Sequence, residues 1–161
     1  PARYSEVMLG RPVNEYCAWI REKGSWGGAL ELQALSKHFR RRIYAFDIQT
    51  LRVDRYGEEE DYAEAAFVVY DGIHYDALAR AFSESSPVER DVTRFEVGSP
   101  AFAAAQAAAV DLVHRFHRER AFTDTAGFTL RCGTCGEGVR GEAGAHAHAQ
   151  RTGHTNFREY K

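Results

Sequence analysis

Four side chains near the C-terminus have the types and the spacing of metal ligands. Cys132 and Cys135 are separated by two residues, His148 follows after twelve, and His154 after five more. In such an array a β-turn presents two thiolates and a following helix presents two imidazoles from one face, which closes a tetrahedron around Zn2+. Phe128 and Leu130 are expected to supply a strand, and Glu142 to Arg151 a helix that loosens at Gly153. His146 would give gaps of ten and seven residues and is rejected as a ligand. Four protein ligands leave no open coordination position, so the expected role of the zinc is structural, and a segment this short needs it to fold.

A second group has the types needed for proton transfer. In Tyr70-Asp71-Gly72-Ile73-His74-Tyr75-Asp76 the histidine follows a β-prone run and a glycine turn, where loops on a rigid scaffold place reactive groups. If Ile73 to Leu78 is extended, His74 and Asp76 project to the same side and the carboxylate orients the imidazole. That pair is a general base with its orienting acid and requires a thiol or hydroxyl nucleophile. Spacing alone leaves open a surface or structural histidine. Cys17 lies among Tyr16, Trp19 and Ile20 at helical spacing, which predicts a buried, inert thiol rather than that nucleophile.

The elements that must position these groups fall in two blocks. Tyr4 to Leu9 reads as the end of a helix stopped by Gly10. Asn14 is expected to cap a helix over Glu15 to Glu22 that Gly24 ends. Ser25-Trp26-Gly27-Gly28 leads into a helix over Ala29 to Phe39 with Leu32, Leu35 and Phe39 on one stripe. Ile43 to Phe46, Leu51 to Tyr56, Ala66 to Tyr70 and Ile73 to Leu78 are β-prone. Ala81 to Gly98 reads as a surface loop or linker. Ser99-Pro100 opens an alanine-rich helix to about Arg120, with Phe102, Val110, Val113 and Phe116 inward. Helices followed by clustered strands predict an α+β domain with helices against a mainly antiparallel sheet. A boundary near Thr125 divides the chain into 1–124 and a ββα finger at 125–161.

The bulk properties set limits. With 161 residues, 44% hydrophobic and 27% charged, the chain holds one ordinary domain and a small appendage. A net charge of -2 argues against a general nucleic-acid binder. No apolar run is long enough to cross a bilayer. An odd count of three cysteines, two of them paired as ligands, predicts a reducing compartment, cytosolic or nuclear. Pro1-Ala2-Arg3-Tyr4 lacks an initiator Met, so the reading expects further chain upstream.

Three stretches carry a resemblance. Glu15-Tyr16-Cys17-Ala18-Trp19-Ile20, Trp26-Gly27-Gly28-Ala29-Leu30-Glu31-Leu32-Gln33-Ala34-Leu35-Ser36 and Tyr70-Asp71-Gly72-Ile73-His74-Tyr75-Asp76 resemble the second half of the ovarian-tumour (OTU) cysteine protease domain. The tail, with Phe122-Thr123-Asp124, Phe128-Thr129-Leu130-Arg131-Cys132 and Thr152-Gly153-His154-Thr155-Asn156-Phe157, resembles that of the family's zinc-finger subgroup. The resemblance covers nearly the whole chain and keeps the order of elements. It implies a papain-like fold and a deubiquitinating thiol protease, a ubiquitin thioesterase. That subgroup works with the p97/Cdc48 segregase in endoplasmic-reticulum-associated degradation (ERAD). By the same resemblance His74 activates the catalytic cysteine and Asp76 orients His74. Trp26-Gly27-Gly28 is the turn beside the active-site cleft, and ubiquitin is bound over roughly Arg41 to Tyr62. The family nucleophile sits in an Asp-x-x-Cys loop upstream of the Trp-Gly-Gly turn. Asn14-Glu15-Tyr16-Cys17 imitates it in spacing but aligns with a later helix, so the chain by itself is expected to be inactive.

Two other classes compete. One is a non-catalytic ubiquitin- or p97-binding module that keeps the fold without the nucleophile. The other is a zinc-finger nucleic-acid binder. Gly141, Glu142, Ala143, Gly144, Ala145 and Ala147 open the finger helix without the Arg, Asn or Lys that read base edges, which makes nucleic acid the least expected partner.

Overall fold

The computed structural model describes residues 4–22, 25–83, 85–124 and 129–159. Three helices come first, α1 (Glu6–Leu9), α2 (Val13–Trp19) and α3 (Ala29–Phe39). Ser5 caps α1, and Gly10 ends it in the left-handed region at φ 69°. Helix α2 begins directly after Pro12, whose fixed φ and missing N–H suit a helix start, so Asn14 lies inside the helix rather than at its cap. It ends at Trp19, three residues before the expected Glu22; Gly24 lies outside the described residues. Helix α3 has the expected bounds but turns a different face inward. Leu32 and Ser36 are buried, while Leu35 and Phe39 are 42% and 55% exposed. The small Ser36 hydroxyl donates to the Arg41 carbonyl, and this seats the end of α3 against the start of the first strand.

The main sheet is built from β1 (Arg42–Asp47), β2 (Val53–Tyr56), β3 (Glu64–Tyr70), β4 (Tyr75–Leu78) and β5 (Phe95–Glu96). Its order is β2-β1-β3-β4, with β5 pairing the start of β3. Three of its pairings are antiparallel, as expected, but the central one, β1 with β3, is parallel. The chain returns past β1 after the β1–β2 hairpin, so both central strands run the same way and are covered on both faces. Their continuous apolar runs, Ile43 to Phe46 and Ala65 to Val69, are what a doubly covered strand requires.

On one face Tyr44, Phe46, Phe67, Val69 and Phe95 form the main core with Ala109 and Val113 of helix α4 (Pro100–Glu119). On the other, Ile43 and Ala45 meet Leu32 of α3. Ser99 accepts the Phe102 N–H at the start of α4, with Pro100 at its first position, as read from the sequence. The segment Ala81 to Gly98 is more than a linker. It holds a short 3-10 turn (Val88–Arg90) and β5, and Phe95 is buried and stacked on Phe67 at 5.1 Å. Phe82 and Phe95 lie 13 residues apart in a polar run, too little periodicity to signal a strand.

The second sheet, β7-β6-β8, contains β6 (Thr129–Cys132), β7 (Gly138–Arg140) and β8 (Phe157–Glu159), with α5 (Gly141–Thr152) between β7 and β8. Phe128 and the Thr125 boundary lie outside the described residues. No helix among the described residues is long and apolar enough to cross a membrane.

Candidate active site and metal centre

The turn from β3 to β4 is fixed from three sides. Asp71 Oδ1 accepts the backbone N–H groups of Ile73 at 2.9 Å and His74 at 2.7 Å, a side-chain turn of the kind short acids favour. The Tyr70 hydroxyl donates to the Gly72 carbonyl at 2.7 Å, and the Tyr70 and Tyr75 rings stack at 4.4 Å across the strand ends. Thr123 comes in from the far side, and its N–H donates to the Asp71 carbonyl at 2.7 Å. Gly72 has φ 99°, and a Cβ there would collide with the Thr123 carbonyl oxygen. Only glycine satisfies both conditions.

His74 stands on this turn, just before β4 begins at Tyr75. Its Nδ1 lies 3.3 Å from Asp76 Oδ1, with the side chains 60% and 68% exposed. The same-side projection of residues two apart therefore holds. The ring faces solvent rather than packed hydrocarbon, and with Nδ1 turned to the carboxylate, Nε2 is the nitrogen left to meet another group.

Behind the turn lies a small depression of about 130 Å³ lined by Ala29, Asp47, Asp54, Tyr56, Tyr70 and Tyr75. Burial, and then the neighbouring Tyr56 and Tyr70, push the Tyr75 hydroxyl up to about 12, so it is a neutral donor throughout the physiological range. Trp26, in the turn before α3, is 61% exposed. That turn is held by Glu31, which accepts the Gly28 N–H at 2.7 Å and the Tyr16 O–H at 2.6 Å.

Cys17 is half-buried rather than fully buried. It faces an apolar groove with Val13, Tyr16, Ile20, Leu30 and Ala34. These surroundings match a packing role.

At the C-terminus the four expected ligand atoms lie within 4.8 Å of one another. Cys132 Sγ is 3.7 Å from His154 Nδ1, and Cys135 Sγ is 3.5 Å from His148 Nε2. Zinc–sulfur and zinc–nitrogen bonds of ordinary length at a tetrahedral angle put sulfur and nitrogen about 3.5 Å apart, so the set has the size of a zinc site. Burial raises the Cys132 thiol, but the backbone N–H groups of Cys135 and Thr134, the Cys135 thiol and His148 outweigh it and bring it down to about 6. A thiolate is thus favoured where a metal ligand is needed.

Glu137 was missed in the sequence. Its Oε2 is 3.3 Å from His148 Nδ1, and its Oε1 accepts from Arg151 at 2.5 Å. A carboxylate behind a ligating imidazole fixes the tautomer and the ring orientation. Burial raises the Glu137 carboxyl, and this is outweighed by His148 and Arg151, which hold it below its ordinary value. Asp71 and Thr123 were also missed as parts of the His74 turn. Asp71-Gly72 is a legible turn signal, but nothing local announces Thr123.

A mixed sheet bearing a rigid histidine–aspartate turn, followed by a two-cysteine two-histidine finger, defines a thiol-protease-like domain with a zinc-finger appendage. The OTU-like cysteine protease family matches residues 2–78, and the C-terminal C2H2-type zinc finger of ubiquitin thioesterase OTU1 matches residues 126–160. The ovarian tumor domain-containing deubiquitinating enzyme 2 of Arabidopsis thaliana is 47% identical over 160 residues, covering 99% of this chain and 77% of that protein. Ubiquitin thioesterase OTU1 is 43% identical over 159 residues in both Gallus gallus and Homo sapiens, with 51% and 44% of those proteins covered. A solved OTU domain in complex with ubiquitin superposes with a TM-score of 0.66 at 24% identity, over 76% of this chain and 66% of that one, which shows the shared fold. The chain belongs to the OTU family, in its zinc-finger-bearing ubiquitin thioesterase group. It spans about half the length of the OTU1 relatives.

Proposed function

We propose that the full-length protein is a deubiquitinating cysteine protease that hydrolyses the isopeptide bond between the C-terminal glycine of ubiquitin and a lysine. The nucleophilic cysteine is supplied by sequence upstream of this chain. The observation that carries the reading is His74, exposed on a rigid turn with Nδ1 against Asp76, in a chain whose relatives include a deubiquitinating enzyme and ubiquitin thioesterases. His74 Nε2 takes the thiol proton as sulfur attacks the glycine carbonyl. The C–N bond breaks and His74 returns the proton to the departing lysine amine. A thioester remains, and water activated by the same imidazole hydrolyses it, regenerating the thiol. Asp76 holds the ring in the tautomer that leaves Nε2 as acceptor and stabilises the imidazolium that forms.

Zn2+ held by Cys132, Cys135, His148 and His154 fits the donor set. Its role is structural, since four protein ligands leave no position for substrate or water. Ubiquitin chains are the substrate, with the region from Arg41 to Tyr62 as the binding surface. Association with p97/Cdc48, work in ERAD and a cytosolic or nuclear location complete the reading and rest on the family resemblance.

The test is to treat the full-length protein with a ubiquitin carrying a C-terminal electrophile and to map the adduct. Labelling of one cysteine upstream of Pro1 is expected. An adduct on Cys17, or no adduct in folded protein, contradicts the reading.

A further inference from the structure

The chain that leaves α4 passes through Phe122, Thr123 and Asp124. It is laced to the base of the His74 turn by contacts of four kinds. Phe122 stacks on His117 at 5.6 Å with the rings 13° apart, and His117 Nδ1 is 2.8 Å from the Ile48 carbonyl oxygen beyond β1. The Thr123 N–H donates to the Asp71 carbonyl at 2.7 Å. The Thr123 carbonyl oxygen lies against the Gly72 Cα, where a Cβ has no room. The Gln49 amide donates to Asp124 Oδ1 at 3.1 Å. On its other side Asp71 accepts the His74 and Ile73 N–H groups through Oδ1. Asp71 is therefore held by its carbonyl to the segment after α4 and holds the His74 backbone by its carboxylate.

We infer that Phe122-Thr123-Asp124 is a strap that fixes the catalytic turn through Asp71, so that Asp71 and the Thr123 N–H are positioning groups for His74. This rests on the reading of His74 as general base. The physical reason for a strap is the exposure of the site. The His74 and Asp76 side chains are 60% and 68% exposed, so more than half of each stands in solvent. A two-strand turn in that setting samples many conformers, and a base displaced by about 1 Å loses on the order of a hundredfold in rate. Two hydrogen bonds accepted by the Asp71 carboxylate and one donated to its carbonyl by a distant segment remove that freedom at the backbone. The ring stays accessible to a substrate. The strap also joins the site to the chain that leads into the finger, about 50 residues further along the sequence than His74.

The experiment uses the full-length protein with a fluorogenic ubiquitin C-terminal substrate. Asp71→Ala and Thr123→Pro, which remove the acceptor and the donor, are expected to lower kcat by about tenfold to a hundredfold with KM within about twofold. Asp71→Asn keeps an Oδ1 acceptor and Thr123→Ala keeps the N–H, so each is expected to recover most of the rate. Loss of rate in Asp71→Asn equal to that in Asp71→Ala overturns the hydrogen-bonding account. So does wild-type kcat in both Asp71→Ala and Thr123→Pro.

Hydrogen exchange on the unmodified protein provides a measure independent of whether the variants fold. The His74 and Thr123 amides are expected to be protected and to open together. Exchange of either at the rate of free backbone overturns the strap. His74→Ala is run alongside. If it retains activity, the assignment of the base has failed. If it is inactive while Asp71→Ala and Thr123→Pro are unaffected, only the strap has failed.

Discussion

At the scale of single residues, the turn before β4 shows how much chemistry depends on a position with no side chain. Gly72 occupies φ 99°, and its missing Cβ leaves space for the Thr123 carbonyl. Gly72→Ala meets a backbone penalty and a collision with backbone that cannot rotate away. We expect it to destabilise the domain by about 2–4 kcal/mol in urea denaturation. A change under about 0.5 kcal/mol shows that the turn relaxes easily. His74 and Asp76 were legible in the sequence because two residues of extended chain bring side chains to one side. The distance of 3.3 Å between Nδ1 and Oδ1 fits that geometry. The catalytic role proposed for them was not legible from spacing; it rests on the resemblance. Thr123 was illegible for a different reason. Its contact is made by main-chain atoms about 50 residues from Gly72, and no side-chain type encodes it.

At the scale of elements, the sequence was most informative where capping chemistry is strong. Ser99 with Pro100 fixed the start of α4, and the glycine pair before Ala29 fixed the start of α3. It was least informative where a short amphipathic stripe admits more than one face. Leu35 and Phe39 repeat at helical spacing with Leu32, yet the helix buries Leu32 and Ser36 because its C-terminal end must approach Arg41 closely. The mainly apolar join between α2 and α3 carries one polar contact. The Tyr16 hydroxyl donates to Glu31, and burial together with that carboxylate pushes it up to about 12. Tyr75 is pushed up to about 12 by burial and its tyrosine neighbours.

Both groups ionise near 10 in the unfolded chain and near 12 in the folded one, so folding holds their protons more tightly. Their contribution to stability is complete below the unfolded value and is lost as pH rises from about 10 to about 12. The difference in unfolding free energy between wild type and a Tyr16→Phe, Tyr75→Phe double variant is expected to fall across that window. A difference that stays flat from pH 9 to 12 contradicts the assignment.

At the scale of the whole molecule, two sheets with separate cores are held by different means. The five-stranded sheet buries Phe46, Phe67, Val69 and Phe95 and has an apolar interior of its own. Among the described residues of the three-stranded sheet and its helix, the nearly inaccessible side chains are Cys132 and His148. A unit of that size is expected to depend on the zinc proposed for it. In Cys132→Ser, bound zinc is expected to fall from one equivalent towards none, and trypsin is expected to cut after Arg131, Arg140 and Arg151. The main sheet should keep its protection. A tail as resistant as wild type contradicts a structural role for the metal. The finger was the most legible part of the chain because ligand spacing is nearly independent of context. The parallel pairing of β1 and β3 was the least legible, since it depends on where the chain returns after a hairpin rather than on any local pattern.

In the proposed mechanism one imidazole on the strapped turn activates a thiol from the upstream sequence, and His74→Ala in the full-length protein removes that group alone. Turnover of ubiquitin chains and affinity for ubiquitin are measured on the same preparation. We expect kcat to fall by about a hundredfold to ten-thousandfold, the usual contribution of a general base, with ubiquitin affinity unchanged. Cleavage by His74→Ala at the wild-type rate contradicts the mechanism.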